Sequence, residues 1–308
     1  MNPLFLGMAL LQSLIAINQP LILPEFSQHG FSVHIKREDM LHPLASGNKW
    51  RKLKYNIEAF KQSGAKALLT FGGAYSNHLA AVAAWCAQEN ISCIGIVRGD
   101  ELAHKPLNPT LEKCQQNGMQ LVFVSRAEYA QKEQGKTVHE LQRTHVLYLL
   151  PEGGTNALAV KGCTEILTPE DANFDAVCCA VGTGGTLAGL ANSAADQHII
   201  GFQLVKDATI PARIRTFATR ENWSLVQHAA YKGYAQADAQ LVAFATYVLQ
   251  QTGILLDPIY TAPMLFQLVQ MIRDNTWTFG TKILLIHTGG TQAIEGFNSK
   301  YARQWPSI

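Results

Sequence analysis

The sequence predicts an α/β protein of open, mostly parallel sheets flanked by helices, and three observations predict it. Short apolar runs alternate along the chain with stretches of helical period, as strands joined by crossover helices do. Some runs are apolar at every position, as in Ala176-Val177-Cys178-Cys179-Ala180-Val181, which suits the middle of a sheet covered on both faces. Three of the runs end in glycine-containing turns that open directly into a helical pattern.

Taken in order, strands are predicted at residues 33–36, 67–71, 93–97, 120–124, 146–150, 176–181, 199–204 and 282–287, with helices in the gaps. One helix starts at Asn48, straight after a glycine, runs to about residue 62 and stops at Gly64. Another covers residues 77–88, rich in alanine and carrying an apolar stripe. Residues 206–237 are the polar, irregular part of the chain. Residues 4–17 are apolar, but no Lys or Arg precedes them, no small-residue cleavage site follows before Asn18-Gln19-Pro20, and a bilayer span needs ~20 residues. They are expected to form a docked or partly ordered N-terminal segment. No low-complexity linker or internal repeat divides the chain, so the boundary is inferred. Residues 41–150 are expected to form a smaller α/β domain, and residues 1–40 with 151–308 a larger one.

Composition excludes several classes of function. The 308 residues are 47% hydrophobic and 16% charged, which fills a core, and a net charge of +2 gives no field suited to nucleic acid. Lys49, Arg51, Lys52 and Lys54 make a short basic cluster, read as an exposed helix face apart from Lys49. Cys86, Cys93, Cys114, Cys163, Cys178 and Cys179 show no metal-type spacing, and several lie in apolar runs. Reduced, packed thiols in the cytoplasm are the expectation, with no metal and no membrane partner.

The chemistry is carried by the turns. Gly182-Thr183-Gly184-Gly185-Thr186 follows a buried strand and precedes a helix start. Glycines let backbone N–H groups converge on an anion, and the helix N-terminus adds ~0.3–1 kcal/mol. A phosphate fits there. A dinucleotide fingerprint would need glycine where Leu187 stands, and a Walker A loop would need a Gly-Lys-Ser/Thr ending. A plain tight turn remains open for this loop taken alone. Ser76-Asn77-His78 sits at another strand-to-helix turn, where helix N-terminal amides suit a substrate carboxylate and Asn77 suits a phenolic oxygen, although Ser-Asn is also an ordinary cap. Pro151-Glu152-Gly153-Gly154-Thr155-Asn156 has the same two readings, and Thr288 in His287-Thr288-Gly289-Gly290 offers a hydroxyl or a cap. Lys49, in Ser46-Gly47-Asn48-Lys49-Trp50-Arg51-Lys52, completes a pocket for a phosphorylated ring and reads as a Schiff-base lysine for pyridoxal phosphate.

Together with Ile35-Lys36-Arg37-Glu38-Asp39 and Gly72-Gly73-Ala74-Tyr75, these motifs recur in an order that resembles the 1-aminocyclopropane-1-carboxylate deaminase and D-cysteine desulfhydrase family, over about residues 21–292. The resemblance implies the tryptophan synthase β-like fold, type II among pyridoxal phosphate enzymes. It implies that Lys49 carries the cofactor, that Gly182, Thr183, Gly184, Gly185 and Thr186 hold its phosphate, and that Asn77 contacts the ring hydroxyl. It also implies that Ser76 acts on the substrate, with Asn77 and His78 beside it. Tyr234 and Tyr260 match the family's two active-site tyrosines and would not be singled out otherwise. A homodimer is implied too. The family commonly continues threonine-glycine-lysine after the second tyrosine, whereas this chain has Thr261-Ala262-Pro263.

True cyclopropane deaminases carry a glutamate after that tyrosine, serving the ring nitrogen. Thr261 and Thr288 look instead like the desulfhydrase branch. The expected activity is α,β-elimination from a small amino acid such as D-cysteine, giving pyruvate, sulfide and ammonia. Ring opening of 1-aminocyclopropane-1-carboxylate to 2-oxobutanoate and ammonia is the alternative. A cofactor-retaining amino-acid sensor without turnover is the alternative of another class, motivated by Ala262 and Pro263.

Overall fold

A computed structural model describes residues 16–41, 47–227, 238–301 and 304–307 of the chain. Ten strands among them form two sheets. The smaller holds β3 (Ala67–Gly72), β4 (Ser92–Arg98), β5 (Met119–Val124) and β6 (Leu147–Leu149) in the order β5-β4-β3-β6, all parallel. The larger holds β1 (Asn18–Pro20), β2 (Ser32–Lys36), β7 (Ala176–Val181), β8 (His198–Gln203), β9 (Trp223–Gln227) and β10 (Lys282–Ile286) in the order β1-β2-β10-β7-β8-β9. Only β1 runs antiparallel, pairing Asn18 with Lys36.

All eight predicted strands exist within a residue or two of their expected bounds. Two others were not predicted. β1 has three residues and ends at a proline, too short to alternate. β9 lies inside the polar stretch 206–237, which also contains the helix Ile210–Phe217. Every β9 side chain is only half-buried or exposed, as befits an edge strand, so its apolar signal is weak. Most of residues 4–17 lies outside the described residues.

The central strands bury both faces, and the two-residue period sorts their side chains. Ala176, Cys178, Ala180, Ile283 and Leu285 enter one core with Leu265 and Leu268, while Val177, Cys179, Val181, Leu284 and Ile286 enter another with Leu187 and Leu190. Full burial contributes about 1.5–3 kcal/mol for each large aliphatic side chain. All six cysteines are buried free thiols.

Three helices meet almost backbone to backbone. A Cβ at Gly162 would lie 1.8 Å from the Arg51 carbonyl oxygen, and one at Gly189 would lie 2.4 Å from the Cys163 Cβ. The helix Ala157–Cys163 is thereby clamped between the helices Asn48–Ser63 and Gly185–Ser193. Trp50, on the first of these, stacks on Trp85 of the helix Asn77–Gln88 with centroids 4.2 Å apart and planes 13° apart.

The basic cluster on Asn48–Ser63 is not an exposed face. Arg51 and Lys52 are only 6% and 2% exposed. Arg51 makes a two-pronged contact with the fully buried Glu38, at 2.9 and 3.0 Å, and Lys54 pairs with Glu165 at 2.9 Å. The first turns of the helix pack against the helix Ala157–Cys163 rather than facing solvent, and Arg51 and Lys54 are matched by carboxylates from elsewhere in the chain. Lys36 and Asp171 form a second buried pair at 2.9 Å.

Gly162→Ala should therefore lower unfolding stability by about 3 kcal/mol, because backbone atoms cannot yield to the added methyl. Chemical denaturation of the purified variant measures this, and a loss below ~0.5 kcal/mol would show that the helices separate freely.

Candidate active site

The C-terminal ends of the parallel strands carry the expected residues to one place. Gly47 has φ +70°, and a Cβ there would sit 2.0 Å from the Thr288 carbonyl oxygen. The Asn48 N–H donates to that carbonyl at 3.3 Å, and the Asn48 side-chain amide donates to Thr186 Oγ1 at 2.9 Å. Lys49 is thus pinned between the loop after β10 and the loop after β7. Burial lowers the pKa of its amine to about 7, and the nearby Lys52 charge pushes the same way against Cys163.

The loop after β7 has the geometry to receive an anion. Gly184 has φ +90°, a conformation that side chains resist, and a Cβ there would meet Ile214 at 2.6 Å. The N–H groups of Thr183, Gly184, Gly185 and Thr186 have no acceptor among the described residues. Lys52 supplies a cation that the sequence reading missed. Its Nζ lies 3.3 Å from the Gly153 carbonyl, 3.1 Å from Thr155 Oγ1 and 3.5 Å from Thr183 Oγ1. No carboxylate pairs with it among the described residues, and burial lowers its pKa. The signal was there: Lys49 and Lys52 are three apart on a helix and share a face.

The turn after β3 faces this loop. Ser76 caps the helix by accepting the Leu79 N–H at 3.2 Å, which leaves its own proton free to donate outward. The N–H groups of Asn77 and His78 have no acceptor among the described residues. Asn77 is buried with its Oδ1 unpartnered, and its Nδ2 would be 3.0 Å from a Cβ on Gly290. The His78 ring is turned inward. Thr70 donates its hydroxyl proton to the Leu150 carbonyl at 2.9 Å, so His78 Nε2, at 2.8 Å, is the donor to Thr70. Burial, then the charges of Lys49 and Lys52, hold this imidazole well below its ordinary pKa and therefore neutral. His78 can meet a substrate through its backbone N–H.

Tyr260 reaches the phosphate-type loop from the larger sheet's side, since a Cβ on Gly182 would come within 3.2 Å of its hydroxyl. Thr261 is fully buried with its hydroxyl unpartnered, and Thr288 is 8% exposed. The structure therefore gathers Lys49, Asn77, Gly182, Thr183, Gly184, Gly185, Thr186, Tyr260 and Thr288 around shared contacts. Ser46 and Tyr234 lie outside the described residues.

The family profile described as pyridoxal-phosphate dependent enzyme matches residues 13–289. The chain is a pyridoxal-phosphate dependent enzyme. Within that family it is similar to a Thermotoga maritima protein provisionally named a 1-aminocyclopropane-1-carboxylate deaminase, 31% identical across 85% of this chain and 90% of the relative. It is 27% identical to an Arabidopsis thaliana bifunctional D-cysteine desulfhydrase/1-aminocyclopropane-1-carboxylate deaminase, across 85% of this chain and 73% of that one. A crystal structure of a 1-aminocyclopropane-1-carboxylate deaminase homologue superposes with a TM-score of 0.82 at 25% identity, covering 97% of this chain and 98% of the other. The fold is the open, mostly parallel α/β architecture expected, and the cofactor of this pyridoxal-phosphate dependent enzyme is pyridoxal phosphate.

The residues fit that cofactor. Four unpartnered N–H groups and the buried Lys52 ammonium match a phosphate dianion, and the depressed Lys49 amine matches an aldehyde partner. Borohydride reduction followed by peptide mapping should place the pyridoxyl group on Lys49, and recovery on Lys52 or Lys54 would overturn the assignment. Only the neutral amine attacks an aldehyde, so the rate at which apoprotein reloads with cofactor should rise with pH around a midpoint near 7. An ordinary lysine would put that midpoint near ~10.4. Lys52→Met should weaken cofactor affinity about 10- to 100-fold, the ~1.5–3 kcal/mol of a hydrogen bond to a charged group. Equilibrium dialysis measures it, and unchanged affinity would remove Lys52 from the phosphate site.

Proposed function

We propose that this chain is a lyase that eliminates sulfide from D-cysteine, or a similarly small amino acid, to give pyruvate and ammonia. The supporting observation is Thr261, buried with an unpartnered hydroxyl at the position where the cyclopropane deaminases carry glutamate. A hydroxyl there does not hold a proton on the ring nitrogen as a carboxylate does, which favours prompt loss of a β substituent. The ring-opening reading has its own support in the deaminase names of the relatives. It therefore stands as the second reading for the same site.

Bound pyridoxal phosphate supplies an electron sink for the carbon next to the amine. The protein's part is to hold, orient and move protons. The N–H groups of Asn77 and His78 and the Ser76 hydroxyl receive the substrate carboxylate at a helix N-terminus. The Lys49 amine, with its pKa near 7, takes the proton from the α carbon at neutral pH. Hydrosulfide leaves the β carbon, assisted by a proton from Tyr260 or Tyr234. The resulting enamine takes up water and separates into pyruvate and ammonia.

We further assign residues 41–150 to a smaller domain carrying the substrate-carboxylate loop and residues 1–40 with 151–308 to a larger domain carrying the phosphate loop, in a cytoplasmic homodimer. Among the described residues no helix is long and apolar enough to cross a membrane.

Cofactor-loaded protein assayed for sulfide and 2-oxo acid should show a higher kcat/KM with D-cysteine than with 1-aminocyclopropane-1-carboxylate. Thr261→Glu should move the ratio at least 10-fold toward 2-oxobutanoate. A wild type that prefers the cyclopropane substrate would establish the second reading. Amino acids that shift the visible absorbance without any turnover would establish a sensor.

A further inference from the structure

The segment from Asp257 to Pro263 has an unusual hydrogen-bond economy. Pro258 and Pro263 have no N–H. Every N–H between them goes to Asp257. Its Oδ1 accepts from Ile259 at 3.0 Å and Tyr260 at 2.7 Å, its Oδ2 accepts from Thr261 at 2.8 Å, and its backbone carbonyl accepts from Ala262 at 3.2 Å. The carboxylate is fully buried, and no cation pairs with it among the described residues. Its negative charge is balanced by these donors and by the N-terminus of the helix Thr261–Arg273.

Asp257 also touches the other side of the site. A Cβ on Gly290 would come within 3.3 Å of the Asp257 carboxyl carbon and 3.0 Å of Asn77 Nδ2. One side chain thus sits where the Tyr260 turn, the loop bearing Thr288 and the helix starting at Asn77 converge.

We propose that Asp257 is a positioning residue for the reaction, setting the hydroxyls of Tyr260 and Thr261 through their backbone N–H groups. The inference rests on the proposed lyase reading for its substrate, but its geometry is independent of which amino acid is consumed. The Thr261 hydroxyl has no hydrogen-bond partner among the described residues, so it is placed by the packing around it and by the backbone that Asp257 holds. The turn also explains how Ala262 and Pro263 are tolerated. Neither supplies a side-chain contact that Asp257 requires, and Pro263 removes an N–H that would need an acceptor.

Asp257→Asn is nearly isosteric and separates positioning from folding. With its amide oxygen placed as Oδ1, the Ile259 and Tyr260 bonds remain, while the amide NH₂ meets the Thr261 N–H donor to donor. In the cofactor-loaded protein, kcat should fall 10- to 100-fold with KM changed less than threefold, and amide exchange in the peptide spanning residues 258–263 should accelerate. Ser125→Ala, which deletes the cap of the helix Arg126–Ala130, should destabilise the protein without changing kcat. In a Thr261→Val background, Asp257→Asn should cost less than threefold more, because the bond that Asp257→Asn disrupts is the one to Thr261 and little is then left there to position. Wild-type kcat in Asp257→Asn, or losses that multiply independently of Thr261→Val, would overturn the proposal. If wild type turns over no amino acid, the lyase reading fails, and unaccelerated exchange at residues 258–263 would then overturn the role of Asp257 separately.

Discussion

The site depends on how closely the helix Asn48–Ser63 can approach its neighbours. At one end Gly47 lies against the Thr288 carbonyl, and one turn on the Arg51 carbonyl lies against Gly162. Neither contact leaves room for a single methyl group. Interiors this dense transmit position well, because no side chain intervenes to absorb a shift. The two contacts fix the height and rotation of Lys49 relative to the loops after β7 and β10, and Gly189 carries the same registration on to the helix Gly185–Ser193 that follows the loop after β7.

Electrostatics sorts the four cations in the first half of that helix into two kinds. Arg51 and Lys54, three residues apart, point to Glu38 and Glu165 and act as anchors. Lys49 and Lys52, also three apart, have no carboxylate partner among the described residues, and Lys52 points to neutral oxygens. Burying an unpaired ammonium is costly, and the lowered pKa of both is the expected response. An anchored cation strengthens the frame, whereas an unanchored one is available to a phosphate or an aldehyde. The same helix therefore serves as structural beam and as chemical tool.

Much of this was legible in the sequence, and for physical reasons. Buried parallel strands must be apolar throughout, and a turn that wraps an anion must be poor in side chains, so β3, β7, β10 and the loop 182–186 announce themselves. Charge is harder to read, because Arg51 and Lys52 look solvated until Glu38 arrives from 13 residues earlier and Thr155 from 103 residues later. Tyr260 stood out only through family resemblance, since nothing local distinguishes it from any partly buried tyrosine. Asp257 was hidden for the opposite reason: its Asp-Pro setting reads as an ordinary turn, and its importance lies in N–H groups that carry no sequence signature. β1 and β9 escaped because edge strands owe their existence to a neighbour rather than to their own pattern.

The stacked pair of Trp50 and Trp85 joins the helix that bears Lys49 to the helix that opens with Asn77. Two indoles held 4.2 Å apart at 13° are electronically coupled, so they share excitation instead of emitting as separate fluorophores. Any motion that slides one helix past the other changes that overlap before it changes a covalent bond. The protein thus contains a native optical ruler between these two helices, readable in near-ultraviolet circular dichroism without a label.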